Sequence, residues 1–126
     1  MISFESFIME DGVPIYLQIT GFIKRGIVAG TIHDGDEVPS RRMVSALLGV
    51  NPNTVQKSYA MLEEEGLLLS RAGAKSCVRV TEASVFRLRQ EILSADVKAT
   101  VASMKQMGMS LQQAQRTIAE FWEVEE

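Results

Sequence analysis

Apolar positions in the first half of the chain recur every three or four residues, which is the period of an amphipathic helix. Helices are predicted over 14–30, 40–49 and 51–66, with Ser40 and Asn51 as N-caps of the second and third. A glycine-containing turn separates the short second helix from the longer third. The apolar faces are expected to contain Ile15, Ile19, Phe22, Ile23, Ile27, Met43, Val44, Leu47, Leu48, Val55, Tyr59, Met61 and Leu62.

The pattern changes after the third helix. Residues 67–71 and 76–80 are short β-like runs around a glycine-containing segment, which predicts a hairpin. A short helix, a tight turn and a longer helix are typical of a helix-turn-helix, and a hairpin directly behind it is a wing. Residues 31–38 are turn-rich and acidic, and they are predicted to be a loop. Near the start of the chain, a small apolar pad is expected from Phe4, Phe7 and Ile8.

Helical periodicity returns at residue 82 and breaks at Gly108, after which Ser110 and Gln113 form a capping box. We therefore predict a mainly α fold with a small β-hairpin. A winged helix-turn-helix domain covers 10–81, and a two-helix dimerisation tail covers 82–126.

The tail has more apolar surface than two helices can bury against each other. We expect it to pair with a second copy of the chain, since a two-fold dimer suits two half-sites on palindromic DNA. Packing onto the chain's own winged domain is the alternative. The predicted dimerisation residues are Phe86, Leu93, Val97, Val101, Met104, Ile118, Phe121 and Trp122.

Composition limits the class of protein. The 126 residues are 46% hydrophobic and 23% charged, which supports a packed core. No apolar run approaches the roughly 18 residues that suggest a membrane span, and no secretory signal is visible. A single cysteine, Cys77, excludes an internal disulfide. We expect a cytoplasmic protein without membrane contact.

The distribution of charge matters more than its total. A net charge of −3 argues at first against a nucleic-acid partner. Residues 38–81, however, hold six basic residues against three glutamates, a local charge of +3. Phosphate contacts act at short range in salt, so a local basic surface is sufficient. Double-stranded DNA is therefore the expected partner.

The start of the third helix carries side chains suited to base contact. In a helix-turn-helix this turn enters the major groove. Asn and Gln can pair with adenine, Thr can touch a thymine methyl, and Lys can reach guanine or phosphate. A solvated helix face, with Asn51 acting only as a cap, is the alternative. The predicted DNA-binding residues are Ser40, Arg41, Arg42, Asn51, Asn53, Thr54, Gln56, Lys57, Arg71, Gly73 and Lys75.

Two further groups of cations in this set leave alternatives open. Arg41 and Arg42 are expected to contact phosphate, or else to pair with the acidic loop at Asp34, Asp36 and Glu37. The wing residues are expected to lie along the minor groove, where a cation is favoured. The alternative is that they form a solvated hairpin tip without DNA contact.

Other chemistry is not indicated. The sequence lacks a nucleophile–base pair, a phosphate-cradling glycine loop and metal-ligand spacing, so we predict no enzymatic activity, no cofactor and no metal. His33 is expected to be solvated, as are the glutamates at 63–65. Cys77 is expected to be a half-buried apolar residue rather than a redox switch. A small-molecule effector stays open, and the rival function is a winged helix that binds an acidic protein.

Four stretches resemble the GntR family of bacterial regulators: PIYLQI at 14–19, GDEVPSRR at 35–42, LGVNPNTV at 48–55, and Tyr59, Leu62-Glu63 and Gly66-Leu67. The resemblance runs from about residue 13 to 80 and implies a DNA-binding winged helix. It implies DNA-binding roles for Arg42, Asn53, Thr54, Gln56 and the wing glycine Gly73.

The wing departs from the family pattern, with Lys75 where a second glycine is usual and Cys77 where an aromatic residue is usual. The short tail is similar to that of the YtrA subfamily, whose members dimerise through it and often control transporter operons. The resemblance thus implies a dimeric regulator with a transporter operon as its target. Repression, by blocking a palindromic operator, is the simpler expectation, and activation is the alternative.

Overall fold

A computed structural model of the chain describes residues 1–70 and 75–124. The chain forms two compact units, Met1–Arg89 and Gln90–Glu126. The mainly helical class with one small hairpin is confirmed. The elements are α1 (Ile15–Ala29), α2 (Arg41–Leu48), α3 (Pro52–Glu64), β1 (Leu68–Leu69), β2 (Cys77–Val78), α4 (Glu82–Gln106) and α5 (Leu111–Trp122).

The core of the first unit lies where α1 and α2 pack against α3. Its fully buried side chains come from the predicted faces of these helices and from the hairpin. Each buried aliphatic side chain contributes about 1.5–3 kcal/mol relative to an exposed one. The largest of them are Ile19, Ile23, Val44, Val55, Leu62 and Val78.

The predicted apolar face of α2 is only partly correct. Met43 is 44% exposed and Leu47 is 65% exposed, whereas Val44 is fully buried. The reason is geometric, because a helix of eight residues makes only a little more than two turns and presents one narrow row to its neighbour. The outward apolar residues of α2 are therefore surface residues.

The predicted N-caps are confirmed. The Ser40 hydroxyl accepts a hydrogen bond from the Met43 amide at 3.1 Å, and Ser110 with Gln113 forms the capping box of α5. Pro14 lies at the N-cap of α1, one residue before the first turn. The helix α3 ends at Glu64, with Glu65 as its C-cap, so the turn begins just before the predicted Gly66.

The predicted loop over 31–38 is confirmed, and it contains one isolated β-bridge between Glu37 and Cys77. The Val78 amide donates to the Asp36 carbonyl at 2.8 Å, and the Val38 amide donates to the Ser76 carbonyl at 3.0 Å. This segment therefore pairs with β2 on the side opposite β1, where β1 and β2 are antiparallel with Leu68 opposite Val78. Its acidic, turn-forming composition hides a strand-like stretch in which Val38 is buried.

The first residues of the chain pack onto α1. Phe4 and Phe7 contact Phe22, with ring centroids 5.1 Å and 5.4 Å from it. The Ile2 amide donates to the Glu37 carbonyl at 2.9 Å, which joins this segment to the strand-like stretch behind the wing. Ile8 is not part of the predicted apolar pad, because it is 82% exposed. It follows Phe7 directly, and consecutive side chains of an extended chain point to opposite sides.

Candidate nucleic-acid interface

The recognition turn, residues 51–54 at the start of α3, is built by a cap and left open to solvent. The Asn51 side-chain oxygen accepts a hydrogen bond from the Asn53 amide at 2.8 Å. Asn53 is exposed and Thr54 is half-buried. The following Gln56 and Lys57 are exposed as well. The result is a polar, acid-free helix start whose side chains can meet base edges and whose free amides favour a phosphate.

Lys57 is held beside the start of α1. Its ammonium lies 3.8 Å from the centroid of the Tyr16 ring, a cation–π contact. The neighbouring Ser58 is buried, and its hydroxyl donates to the Tyr16 carbonyl at 2.9 Å. Tyr16 is not among the site residues predicted from the sequence. The feature that could have indicated it is its position in the PIYLQI motif. Tyr16 therefore limits where the Lys57 charge can reach.

Tyr59 connects α3 to the start of α2. Its hydroxyl donates to the Pro39 carbonyl at 2.6 Å, and the side chain is only 5% exposed. Burial raises the pKa of the Tyr59 hydroxyl well above its ordinary value, because the charged phenolate would lose its hydration. The hydrogen bond to Pro39 ties the residue just before the Ser40 N-cap to α3.

A polar cleft of about 570 Å³ lies between the start of α2, the middle of α3 and the hairpin; we name it the wing cleft. It brings together four of the predicted DNA-binding residues, Ser40, Arg41, Gln56 and Lys75. Arg42 is exposed on α2, and it does not line this cleft. The recognition turn and Lys57 also lie outside its lining. Arg71 and Gly73 lie outside the described residues.

The acidic loop before α2 has partners other than Arg41 and Arg42. Asp34 accepts a hydrogen bond from the Val80 amide at 2.9 Å, and Asp36 accepts one from the His33 amide at 2.7 Å. Glu37 pairs with Lys75, with 3.6 Å between carboxylate oxygen and ammonium. The His33 side chain is 69% exposed, as expected. Lys75, predicted to meet phosphate, thus has a carboxylate partner in the free chain.

The prediction of a solvated face at 63–65 misses two specific contacts. The Lys24 ammonium lies 2.8 Å from the Glu65 carboxylate, and the Ser70 hydroxyl donates to the Glu63 carboxylate. Ser70 in turn lies 2.9 Å from the Ser76 hydroxyl. The two serines flank the segment predicted as the wing tip, and this position in the sequence could have indicated that they hold the hairpin. The end of α3 is therefore tied to α1 and to the hairpin.

All but one of the predicted dimerisation residues are exposed apolar side chains. Phe86 is 59% exposed on α4 and Trp122 is 80% exposed on α5. Leu93, Val97, Val101, Ile118 and Phe121 are also exposed, and Met104 is half-buried. Within the second unit, α4 and α5 enclose an apolar groove of about 410 Å³ lined by side chains such as Val97, Met104 and Leu111.

Other kinds of site are not seen in the part of the chain that the structure describes. Across residues 1–70 and 75–124, no group of three or more His, Cys, Asp or Glu side chains is arranged to hold a metal ion. Within those same ranges, no helix combines the length and apolar character needed to cross a bilayer. Cys77 is a half-buried free thiol on β2.

A short capped helix, a turn, a second capped helix and a hairpin define a winged helix-turn-helix. A family model described as "Bacterial regulatory proteins, gntR family" matches residues 15–78. The chain is therefore a member of the GntR family of transcriptional regulators, and the resemblance of its motifs is confirmed. Its relatives are regulators, not enzymes.

Two curated relatives, both from Bacillus subtilis (strain 168), show how far the similarity extends. The chain is 30% identical to the "Uncharacterized HTH-type transcriptional regulator YhcF", over 90% of this chain and 94% of that protein. It is 38% identical to the "HTH-type transcriptional repressor YtrA", over 51% of this chain and 49% of that protein. Similarity to YhcF thus includes the tail.

Solved structures of similar fold also include members of this family. The GntR family transcriptional regulator from Listeria monocytogenes matches with a TM-score of 0.77 and 30% identity, covering 93% of this chain and all of that one. A crystal structure of AraR(DBD) in complex with operator ORX1 matches with a TM-score of 0.50 and 28% identity. That match covers 56% of this chain and 86% of the AraR chain.

Proposed function

We propose that this chain is a repressor that binds a palindromic operator as a homodimer in the cytoplasm, with a transporter operon as its target. The similarity to a relative named as a transcriptional repressor supports repression rather than activation. The similarity to AraR, which is bound to an operator in its crystal structure, supports double-stranded operator DNA as the ligand.

The observation that carries the proposal is the composition and exposure of the recognition turn with Gln56 and Lys57. Exposed polar side chains stand at a helix start that holds no acid in its first turn. Neutral amides there can pair with adenine, and Lys57 can reach phosphate or guanine. A surface that served an acidic protein would need only the cations, whereas this one also offers amides suited to base edges.

The tail supports the dimer. Its exposed apolar side chains on α4 and α5 lose contact with water if a second copy covers them, and apolar burial is the main drive for such association. A C2 pair also presents two recognition turns, as two half-sites of a palindrome require. The proposal needs no effector, but the groove in the second unit is where a small apolar effector would be sought.

The test begins with duplexes selected from random DNA by the purified wild-type protein, followed by affinity measurements over a series of salt concentrations. We expect affinity to fall steeply with salt, and Lys57→Ala to lower the slope of log affinity against log salt by about one. Lys98→Ala, which removes an exposed cation from α4, is the matched control and should leave the slope unchanged. Failure of the wild type to enrich or bind any duplex at low salt would exclude the proposal.

A further inference from the structure

Glu63 is a carboxylate in the wing cleft, beside residues predicted to meet DNA. It lies seven residues after Gln56 on α3, and both side chains line the cleft with Tyr59. Spacings of three, four and seven residues put these side chains on one face of the helix. A free carboxylate on such a face would repel phosphate, so its presence there needs a physical explanation.

The explanation lies in its hydrogen bonds. The Ser70 hydroxyl donates to the Glu63 carboxylate, and the Ser70 and Ser76 oxygens are 2.9 Å apart. A serine hydroxyl has one proton, so Ser70, having given its own to Glu63, accepts from Ser76. Ser70 follows β1 and Ser76 precedes β2. One carboxylate therefore joins both sides of the hairpin to α3.

We propose that Glu63 is a positioning residue for the wing, and this rests on the proposed DNA-binding function. Gln56 and Glu63 are about 10 Å apart along the helix axis, at 1.5 Å per residue. One rigid helix face then sets the distance between the side chains that meet the major groove and the hairpin that meets the adjacent minor groove. Tyr59, between them, holds the start of α2 through the Pro39 carbonyl.

The first experiment compares Glu63→Ala and Glu63→Gln, using the duplex that the wild type selects. Glu63→Ala should weaken binding about fivefold, the size of effect that one hydrogen-bonded link supports. Glu63→Gln keeps an acceptor oxygen for Ser70 and should bind like the wild type. If the carboxylate acts only by repelling phosphate, both variants will bind more tightly than the wild type, and the proposal is wrong.

Glu64→Ala is the matched control. It removes the same charge from the next residue of α3, which is exposed and points about 100° away around the helix. Affinity should not fall in this variant. A loss equal to that of Glu63→Ala would show that helix charge or propensity, rather than the link to the hairpin, controls binding.

A double-mutant cycle tests the link itself. Ser70→Ala should weaken binding about as much as Glu63→Ala, and the double variant should be no weaker than either, since both changes break one connection. Fully additive losses would overturn the proposal. Because the cycle compares affinities of folded proteins, the unfolding midpoint of each variant is measured as well. If one variant does not fold, Ser76→Ala replaces it, since it breaks the same chain of hydrogen bonds.

Footprinting separates wing positioning from general loss of affinity. At saturating protein, Glu63→Ala should lose hydroxyl-radical protection in the minor groove beside each half-site. Methylation protection of guanines in the major groove should persist. If Glu63→Ala keeps both minor-groove protection and wild-type affinity, the positioning role of Glu63 is wrong, but the proposed DNA-binding function is unaffected. A wild type that selects no duplex overturns the proposed function, and the inference with it.

Discussion

Asn51 and Asn53 carry the same amide two residues apart, yet the backbone gives them different roles. The Asn51 oxygen is committed to the Asn53 amide at 2.8 Å, which caps α3. The Asn53 side chain is exposed on the first turn. The sequence predicts Asn51 as the N-cap, and the structure confirms that role. Contact of either asparagine with DNA stays a prediction.

The two asparagines should therefore respond differently to replacement by alanine. Asn51→Ala should lower the free energy of unfolding by about 1 kcal/mol, the usual value of an N-cap. Asn53→Ala should change it by less than about 0.5 kcal/mol, but should relax base preference at one position of each half-site. Urea unfolding and repeated duplex selection measure the two effects. Equal stability losses would mean that the cap is shared.

Tyr59 makes stability depend on alkaline pH. Its pKa is raised in the folded chain, so folding favours the neutral hydroxyl. The corresponding stability is fully present below the ordinary tyrosine pKa of about 10 and is lost as pH rises above it. Tyr59→Phe has no such proton to lose, so the excess stability of the wild type over Tyr59→Phe should shrink between about pH 9 and pH 11. Urea midpoints across this range measure it; a constant difference would contradict the assignment.

At the scale of elements, caps and periodicity were sufficient for the helices but not for the sheet. Ser40, Asn51 and Ser110 mark three helix starts because their side chains satisfy amides that lie close in sequence. The pairing of residues 35–38 with β2 depends on partners about 40 residues away, so local composition gave only a loop. Periodicity also predicts Met43 and Leu47 on the apolar face of α2, but this short helix buries only the row that contains Val44.

The candidate site divides in the same way. The start of α3 at residues 51–54 was predictable from caps and spacing, whereas its contact with DNA stays a prediction. The links that orient it were not predictable, since Tyr16 meets Lys57 and Glu63 meets Ser70 only once α1, α3 and the hairpin have packed. Lys, Glu and Ser are common at protein surfaces, so their residue type alone does not indicate these contacts.

At the scale of the whole molecule, the central prediction concerns association. Val97→Asp puts a charge on the exposed apolar surface of α4 and should weaken dimerisation at least tenfold, because a desolvated charge would be left without a partner. Ala99→Asp, an exposed position on the same helix, is the control and should have a much smaller effect. Sedimentation velocity over a concentration series measures both. A monomeric wild type at micromolar concentration would exclude the dimer.

The exposed apolar surface of α4 and α5 also has a consequence for gene dosage. If two copies must meet before two recognition turns can reach one palindrome, operator occupancy depends on the square of the monomer concentration at low abundance. At low occupancy, halving the amount of protein would then lower operator occupancy to about a quarter. The cell would respond sharply to modest changes in this regulator's own synthesis, without any signal molecule.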